Sequence, residues 1–131
     1  PGMVPIQTLD NLIYFPDMMP TLAALAKGTK HLPKQINGIN ILPLFYGKQV
    51  DTDNRLLYWE FPGKQRAARK GDWKCVTIHP NQPLELYNLK EDPEETNNLA
   101  KKYPRRVKEF DEEMQRMHIP TPNWPQPGEQ F

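Results

Sequence analysis

The sequence contains no serine, a single cysteine (Cys75), and almost no excess of either charge: 17 Lys+Arg against 16 Asp+Glu, net +1. Without serine, neither a Ser-His-Asp triad nor a G-x-S-x-G nucleophile elbow can form in this chain. One cysteine excludes an internal disulfide and a Cys-based zinc cage. Balanced charge argues against a whole-surface attraction for nucleic acid or anionic lipid. No apolar run approaches the roughly 20 residues of a membrane-spanning helix, and no signal peptide is recognisable. Apolar residues make up only 37% of the chain. What is abundant is proline: the 15 prolines in 131 residues are about twice the usual frequency of roughly 5%. The chain opens at Pro1-Gly2 rather than at a methionine, and is expected to be a piece of something longer.

The first 50 residues read as the end of an α/β unit followed by a linker. Asn11-Leu12-Ile13-Tyr14-Phe15 is a short continuous apolar run, as expected of a strand covered on both faces. Asp17 is placed to cap a following helix, Pro20 is tolerated in its first turn, and Gly28 is a stop signal. Met18, Leu22 and Leu25 make one apolar stripe on that helix. A strand followed directly by a helix needs further strands beside it. None lies upstream, so Leu12, Ile13, Phe15, Met18, Leu22 and Leu25 are expected to lack their packing partner, leaving this segment mobile or covered by dimerisation. Asn37-Gly38 is a turn signal. Asn40 can cap a short helix over Ile41 to Tyr46, ended by Gly47.

From residue 51 onward the period changes to two. Arg55 to Phe61 has strand composition and is broken by Pro62-Gly63. Gln65–Lys70 and Trp73–Ile78 flank Gly71-Asp72, a two-residue connection suited to a tight hairpin. Trp73, Cys75 and Thr77 share one face of their strand. His79 to Pro83 is a loop, and Leu84 to Leu89 is an alternating strand. Lys90 to Asn98 is a charged loop. Pro104 opens the strongest helix, in which Val107, Phe110, Met114 and Met117 form a single stripe able to lie across a sheet. From Ile119 onward Pro120, Pro122, Pro125 and Pro127 enforce an extended tail. The fold class is therefore α+β: a four-stranded antiparallel sheet with a packed C-terminal helix, preceded by strand-helix elements. The division falls between 1–50 and 51–131.

No complete catalytic constellation is visible. Cys75 sits mid-strand with nothing to lower its pKa, which reads as core packing rather than reactivity. His31, His79 and His118 are too far apart in sequence for a zinc motif, with His79 placed most suggestively at a strand end. The carboxylates of the 91–96 loop and of Asp111-Glu112-Glu113 read as solvated faces. Arg66-Ala67-Ala68-Arg69-Lys70 with Trp73-Lys74 has the make-up of a basic, aromatic nucleic-acid patch. The charge balance favours an ordinary hairpin with exposed cations.

The order of segments resembles the carboxy-terminal part of the type I, formylglycine-dependent sulfatases. Pro1-Gly2 resembles the end of that family's W-P-G stretch, and Phe15-Pro16-Asp17-Met18-Met19-Pro20-Thr21-Leu22 its D-hydrophobic-x-P-T-L helix. Asn37-Gly38-Ile39-Asn40-Ile41-Leu42-Pro43-Leu44-Phe45-Tyr46-Gly47 is similar to G-x-S-L-L-P-L-L-x-G, with Asn40 in the place of the serine. Leu57-Tyr58-Trp59-Glu60-Phe61 followed by Gln65 to Lys74 resembles the hairpin A-V-R-x-G-D-W-K. Leu84 to Leu89, Asp92-Pro93-Glu94-Glu95 and Asn98-Leu99-Ala100 are similar to E-L-Y-D-L-x-x-D-P-x-E-x-x-N-L-A.

The resemblance implies that residues 1–50 are the terminal strand-helix of a large alkaline-phosphatase-like α/β catalytic domain plus a linker. Residues 51–131 would then be the small subdomain beside it. Calcium and a formylglycine are implied for the parent enzyme and none in this chain, because Cys75 is followed by Val76-Thr77-Ile78 and not by the family's C/S-x-P/A-x-R pattern. The implied activity is hydrolysis of sulfate esters on glycans or aryl groups, with catalytic residues elsewhere. Trp59, Glu60, Lys64, Gln65 and Arg66 are the substrate-contact candidates, since Arg and Lys suit anionic sugars and Trp stacks on sugar faces. Pro62 stands where many relatives have a histidine after this strand. Implied partners are the catalytic domain and its sulfated substrate; the implied location is periplasmic, secreted or lysosomal. The rival expectation is a stand-alone binding module for sulfated glycans.

Overall fold

The computed structural model describes residues 4–61, 65–79, 82–123, 125 and 128–130. The chain divides into two compact units, Pro1–Asn54 and Arg55–Phe131. The expected features at Pro1-Gly2, Pro62-Gly63, Lys64, Pro80 and Pro127 lie outside the described residues.

The first unit holds helix α1 (Met18–Leu25) and the one-turn helix α2 (Leu42–Phe45). The strand expected over Asn11 to Phe15 is not formed, and among the described residues this unit has no strand. A strand exists only through a neighbour that takes up its backbone groups. Here the Leu12 N–H donates instead to the Thr52 hydroxyl (3.1 Å) and the Tyr14 N–H to the Asp17 carboxylate (2.9 Å). Asp17 precedes α1 as expected but does not cap it with its side chain. Fully buried, it accepts from Tyr14 N–H with one oxygen and from Ile39 N–H with the other (2.9 Å each), joining two remote segments. The Thr21 hydroxyl does the same for Ile41 N–H (3.0 Å).

The buried face of α1 is Pro20 and Thr21, while Met18, Leu22 and Leu25 are 40%, 55% and 59% exposed. The left-handed residue closing α1 is Lys27 (φ 56°), not Gly28 (φ −106°). Gly28 contributes through its N–H, which donates back to Ala23 C=O (2.7 Å). α2 is one residue shorter at each end than expected, with Ile41 at its N-cap; Leu42 N–H still donates to the Asn40 side chain (2.9 Å), and Gly47 (φ 71°) closes the turn with its N–H on Leu44 C=O (3.0 Å).

The second unit is an antiparallel meander, β1 (Leu57–Phe61), β2 (Gln65–Lys70), β3 (Trp73–Thr77) and β4 (Glu85–Asn88), in sheet order β1-β2-β3-β4. Gly71 adopts φ 56° in the two-residue β2–β3 turn, with Lys70 opposite Trp73. Helix α3 (Pro104–Met117) supplies Val107, Phe110 and Met114. The register aligns Tyr58, Ala68, Cys75 and Leu86 in one row across the four strands. Ala68, Cys75, Leu86, Phe110 and Met114 form the core, with Tyr58 and Val107 packed against it.

The loop after β4 is a built structure rather than a solvated charge run. Asp92 accepts from Thr96 N–H (3.1 Å) and Asn97 N–H (2.9 Å), and these bonds to the ionised form hold its carboxyl below the ordinary value. Glu95, at φ 58°, receives the Lys74 ammonium (2.6 Å). The Asn98 side chain accepts from Leu86 N–H (3.2 Å) while Leu99 N–H donates to Leu86 C=O (2.8 Å). The D-P-x-E-x-x-N-L-A spacing thus covers the outer edge of β4.

Candidate functional site

Strand alternation splits the candidate residues between the two sheet faces. Glu60 and Arg66 oppose each other in register and both point to the α3 side. The Arg66 guanidinium pairs with Asp111 of α3 (3.1 Å), which also accepts from Gln115 (3.0 Å). Glu60 binds the Tyr58 hydroxyl and lies 2.6 Å from His118 Nδ1. The other ring nitrogen of His118 meets Glu129. These carboxylates are acceptors when ionised, so both contacts favour the doubly protonated form of the ring. The Glu129 bond, with Glu60 behind it, raises the His118 pKa against the opposing effect of burial. The bond to Glu60 and burial likewise push the Tyr58 phenol well above its ordinary value, burial being the larger cause.

Trp59 and Gln65 lie on the opposite face. With Phe61, Ala67, Val76 and Ile78 they line a shallow concavity of about 340 Å³ at one end of the sheet. Trp59, Phe61 and Ile78 are 43%, 61% and 52% exposed there. An exposed indole beside an amide can stack on a sugar ring and hydrogen-bond its hydroxyls. Arg66 and Glu60 reach only the rim of this concavity, their charged ends being engaged on the α3 side. Lys64 lies outside the described residues.

Nothing in the local sequence distinguishes His118, which gains significance only because the fold brings Glu60 to it from 58 positions away. His79, favoured on position alone, has no comparable partner set among the described residues; its backbone C=O accepts from the Thr77 hydroxyl (2.8 Å). Cys75 is wholly buried, and burial followed by the nearby Asp111 charge pushes its thiol up to about 12. A protonated, enclosed thiol followed by Val76-Thr77 does not fit a formylglycine precursor. Among the described residues no three His, Cys, Asp or Glu side chains are placed to hold a metal. Among the described residues no helix is long and apolar enough to cross a membrane.

Residues 1–119 match the protein-family profile described as N-sulphoglucosamine sulphohydrolase, C-terminal. An uncharacterized protein of Haemophilus influenzae is 32% identical over 134 aligned positions, covering 94% of this chain and 67% of that one. Arylsulfatase K of Gallus gallus is 29% identical, covering 85% of this chain but 23% of its own length. A solved Bacteroides thetaiotaomicron protein of glycosaminoglycan metabolism superposes with a TM-score of 0.62 at 27% identity, over 76% of this chain and 24% of the other. The chain therefore spans about a quarter of these last two relatives. It belongs to the N-sulphoglucosamine sulphohydrolase C-terminal family, and its architecture is that of the carboxy-terminal portion of a sulfatase.

Proposed function

We propose that this chain works as the carboxy-terminal part of a sulfatase that hydrolyses sulfate esters on a glycan or aryl group, and that it is inactive without an amino-terminal catalytic domain. The observation that carries this reading is the apolar face of the first unit. Ile13, Phe15, Met18, Leu22 and Leu25 are between 40% and 87% exposed, although burying each is worth about 1.5–3 kcal/mol. A covering layer contributed by a catalytic domain accounts for that exposure. The quarter-length coverage of the larger relatives supports the same reading. Calcium and formylglycine would belong to that domain.

Within this frame the concavity around Trp59 offers an apolar platform for a sugar or aryl ring. Gln65 supplies polar selectivity, and Arg66 and Glu60 brace the strand from the far side. The test is turnover of an aryl sulfate by the 131-residue chain in the presence of calcium. Background hydrolysis is expected, and turnover above background would overturn the assignment.

A further inference from the structure

The start of α3 carries a concentration of cations for which the described residues supply no carboxylate partner. Elsewhere in the second unit Arg66, Lys74, Lys108 and Arg116 each have a carboxylate partner. Lys101, Lys102, Arg105 and Arg106 are exposed, and among the described residues none of them has one. The first turn of α3 contains no acidic residue, so Arg105 and Arg106 stand where a helix disfavours positive charge. Aromatic rings are interleaved with these cations. Arg106 lies over the Trp73 ring (4.3 Å to its centroid), Tyr103 meets Trp73 edge-on (centroids 5.3 Å apart), and Lys102 lies over Tyr103 (5.4 Å). Lys102, Tyr103, Arg105 and Arg106 border one shallow depression, and Arg106 also borders a second that reaches Lys70. Glu109 lines both depressions and is a carboxylate that an incoming anion must tolerate.

We propose that Lys101, Lys102, Arg105 and Arg106, with Tyr103, form a docking surface for a sulfated polysaccharide chain, separate from the Trp59 concavity. Spaced sulfates meet spaced cations, Arg presents a fork that matches an oxyanion, and the tyrosine ring gives a sugar face something to rest on. Nucleic acid meets the same cations, and the whole-chain charge of +1 does not rank the two polyanions, so the oligonucleotide is kept as an arm of the test. The choice of a sulfated glycan over another polyanion rests on the sulfatase reading above. The patch itself does not.

The experiment titrates the full 131-residue chain with a heparin-derived hexasaccharide, its desulfated counterpart and a single-stranded oligonucleotide, each at several salt concentrations. Sulfate-dependent, salt-sensitive binding is expected, weakened about tenfold by the double variant Lys101→Glu, Arg105→Glu. Because Arg105→Glu relieves the unfavourable charge at the helix start, the double variant should also melt roughly 2–5 °C higher. Should the double variant lose helical circular dichroism, Lys101→Gln with Arg105→Gln supplies the same comparison. The surface is refuted by unaltered affinity in the folded variant, by absence of binding in the wild type, by loss of binding on Arg66→Ala instead, or by tighter binding of the oligonucleotide. Failure here leaves the fragment reading intact, since that stands on the turnover assay. Turnover by the isolated chain would sink the fragment reading without touching this surface.

Discussion

An alanine at position 38 would place its Cβ 2.0 Å from the Pro16 carbonyl oxygen and 2.8 Å from the Asp17 nitrogen. Both obstacles are backbone, so neither can rotate away. The Ile39 N–H that follows donates to the buried Asp17 carboxylate, so moving residue 38 also breaks that bond. Gly38→Ala should therefore destabilise the first unit by at least about 2 kcal/mol, read from denaturant unfolding monitored in that unit. A cost below about half a kcal/mol, ordinary for a surface change, would show that the two segments do not approach as described. His118 gives a pH-dependent counterpart. Its folded pKa lies above the ordinary histidine value, so the stabilisation from Glu129 and Glu60 is complete below about pH 6.5 and fades as pH rises through the raised value. Stability measured between pH 5.5 and 9 should fall for the wild type and fall less for His118→Gln, with a histidine NMR titration reporting the raised pKa directly. Parallel curves for the two proteins would refute the carboxylate–imidazolium–carboxylate arrangement.

Of the four residues its sequence period selects, helix α3 packs Val107, Phe110 and Met114 into the core cluster but not Met117, and Met114 is completely enclosed among Ala68, Cys75, Leu86 and Phe110. Met114→Ala should cost about 2–5 kcal/mol of stability in the second unit, measured by chemical denaturation. A loss under 1 kcal/mol would place the helix elsewhere. This stripe, the Gly71-Asp72 hairpin and the alternation of β3 were legible because each is a local period or a local turn preference. The strand expected at Asn11 to Phe15 was not, because a strand is defined by its neighbour, and here Thr52 and Asp17 take up the backbone groups. The stripe of Met18, Leu22 and Leu25 was legible as a pattern, but the pattern could not say that polar Thr21 faces inward to serve Ile41. Trp59 and Glu60, adjacent in sequence, look like members of one site, although strand alternation already sends them to opposite faces. The His118 cluster had no local signal at all, being assembled from β1, the end of α3 and the tail.

Across the whole molecule, the two units differ in how their apolar surface is satisfied. The second encloses Ala68, Cys75, Leu86, Phe110 and Met114 between sheet and helix. The first buries Ile41 and Leu44 but leaves Ile13, Phe15, Leu22 and Leu25 each more than half exposed. Opening free energy follows local burial and hydrogen bonding, so amide exchange should not be uniform along the chain. Slowest exchange is expected at the β2 and β3 amides facing the Cys75 row and in α3 around Met114, with residues 4–50 exchanging orders of magnitude faster in dilute solution. Raising the protein concentration should slow exchange selectively in α1 if a second copy covers Leu22 and Leu25, since association protects only the surface it buries. Uniform protection of both units in a chain shown to be monomeric by sedimentation would contradict this, because the first unit would then be closing an interior that its exposed side chains deny it.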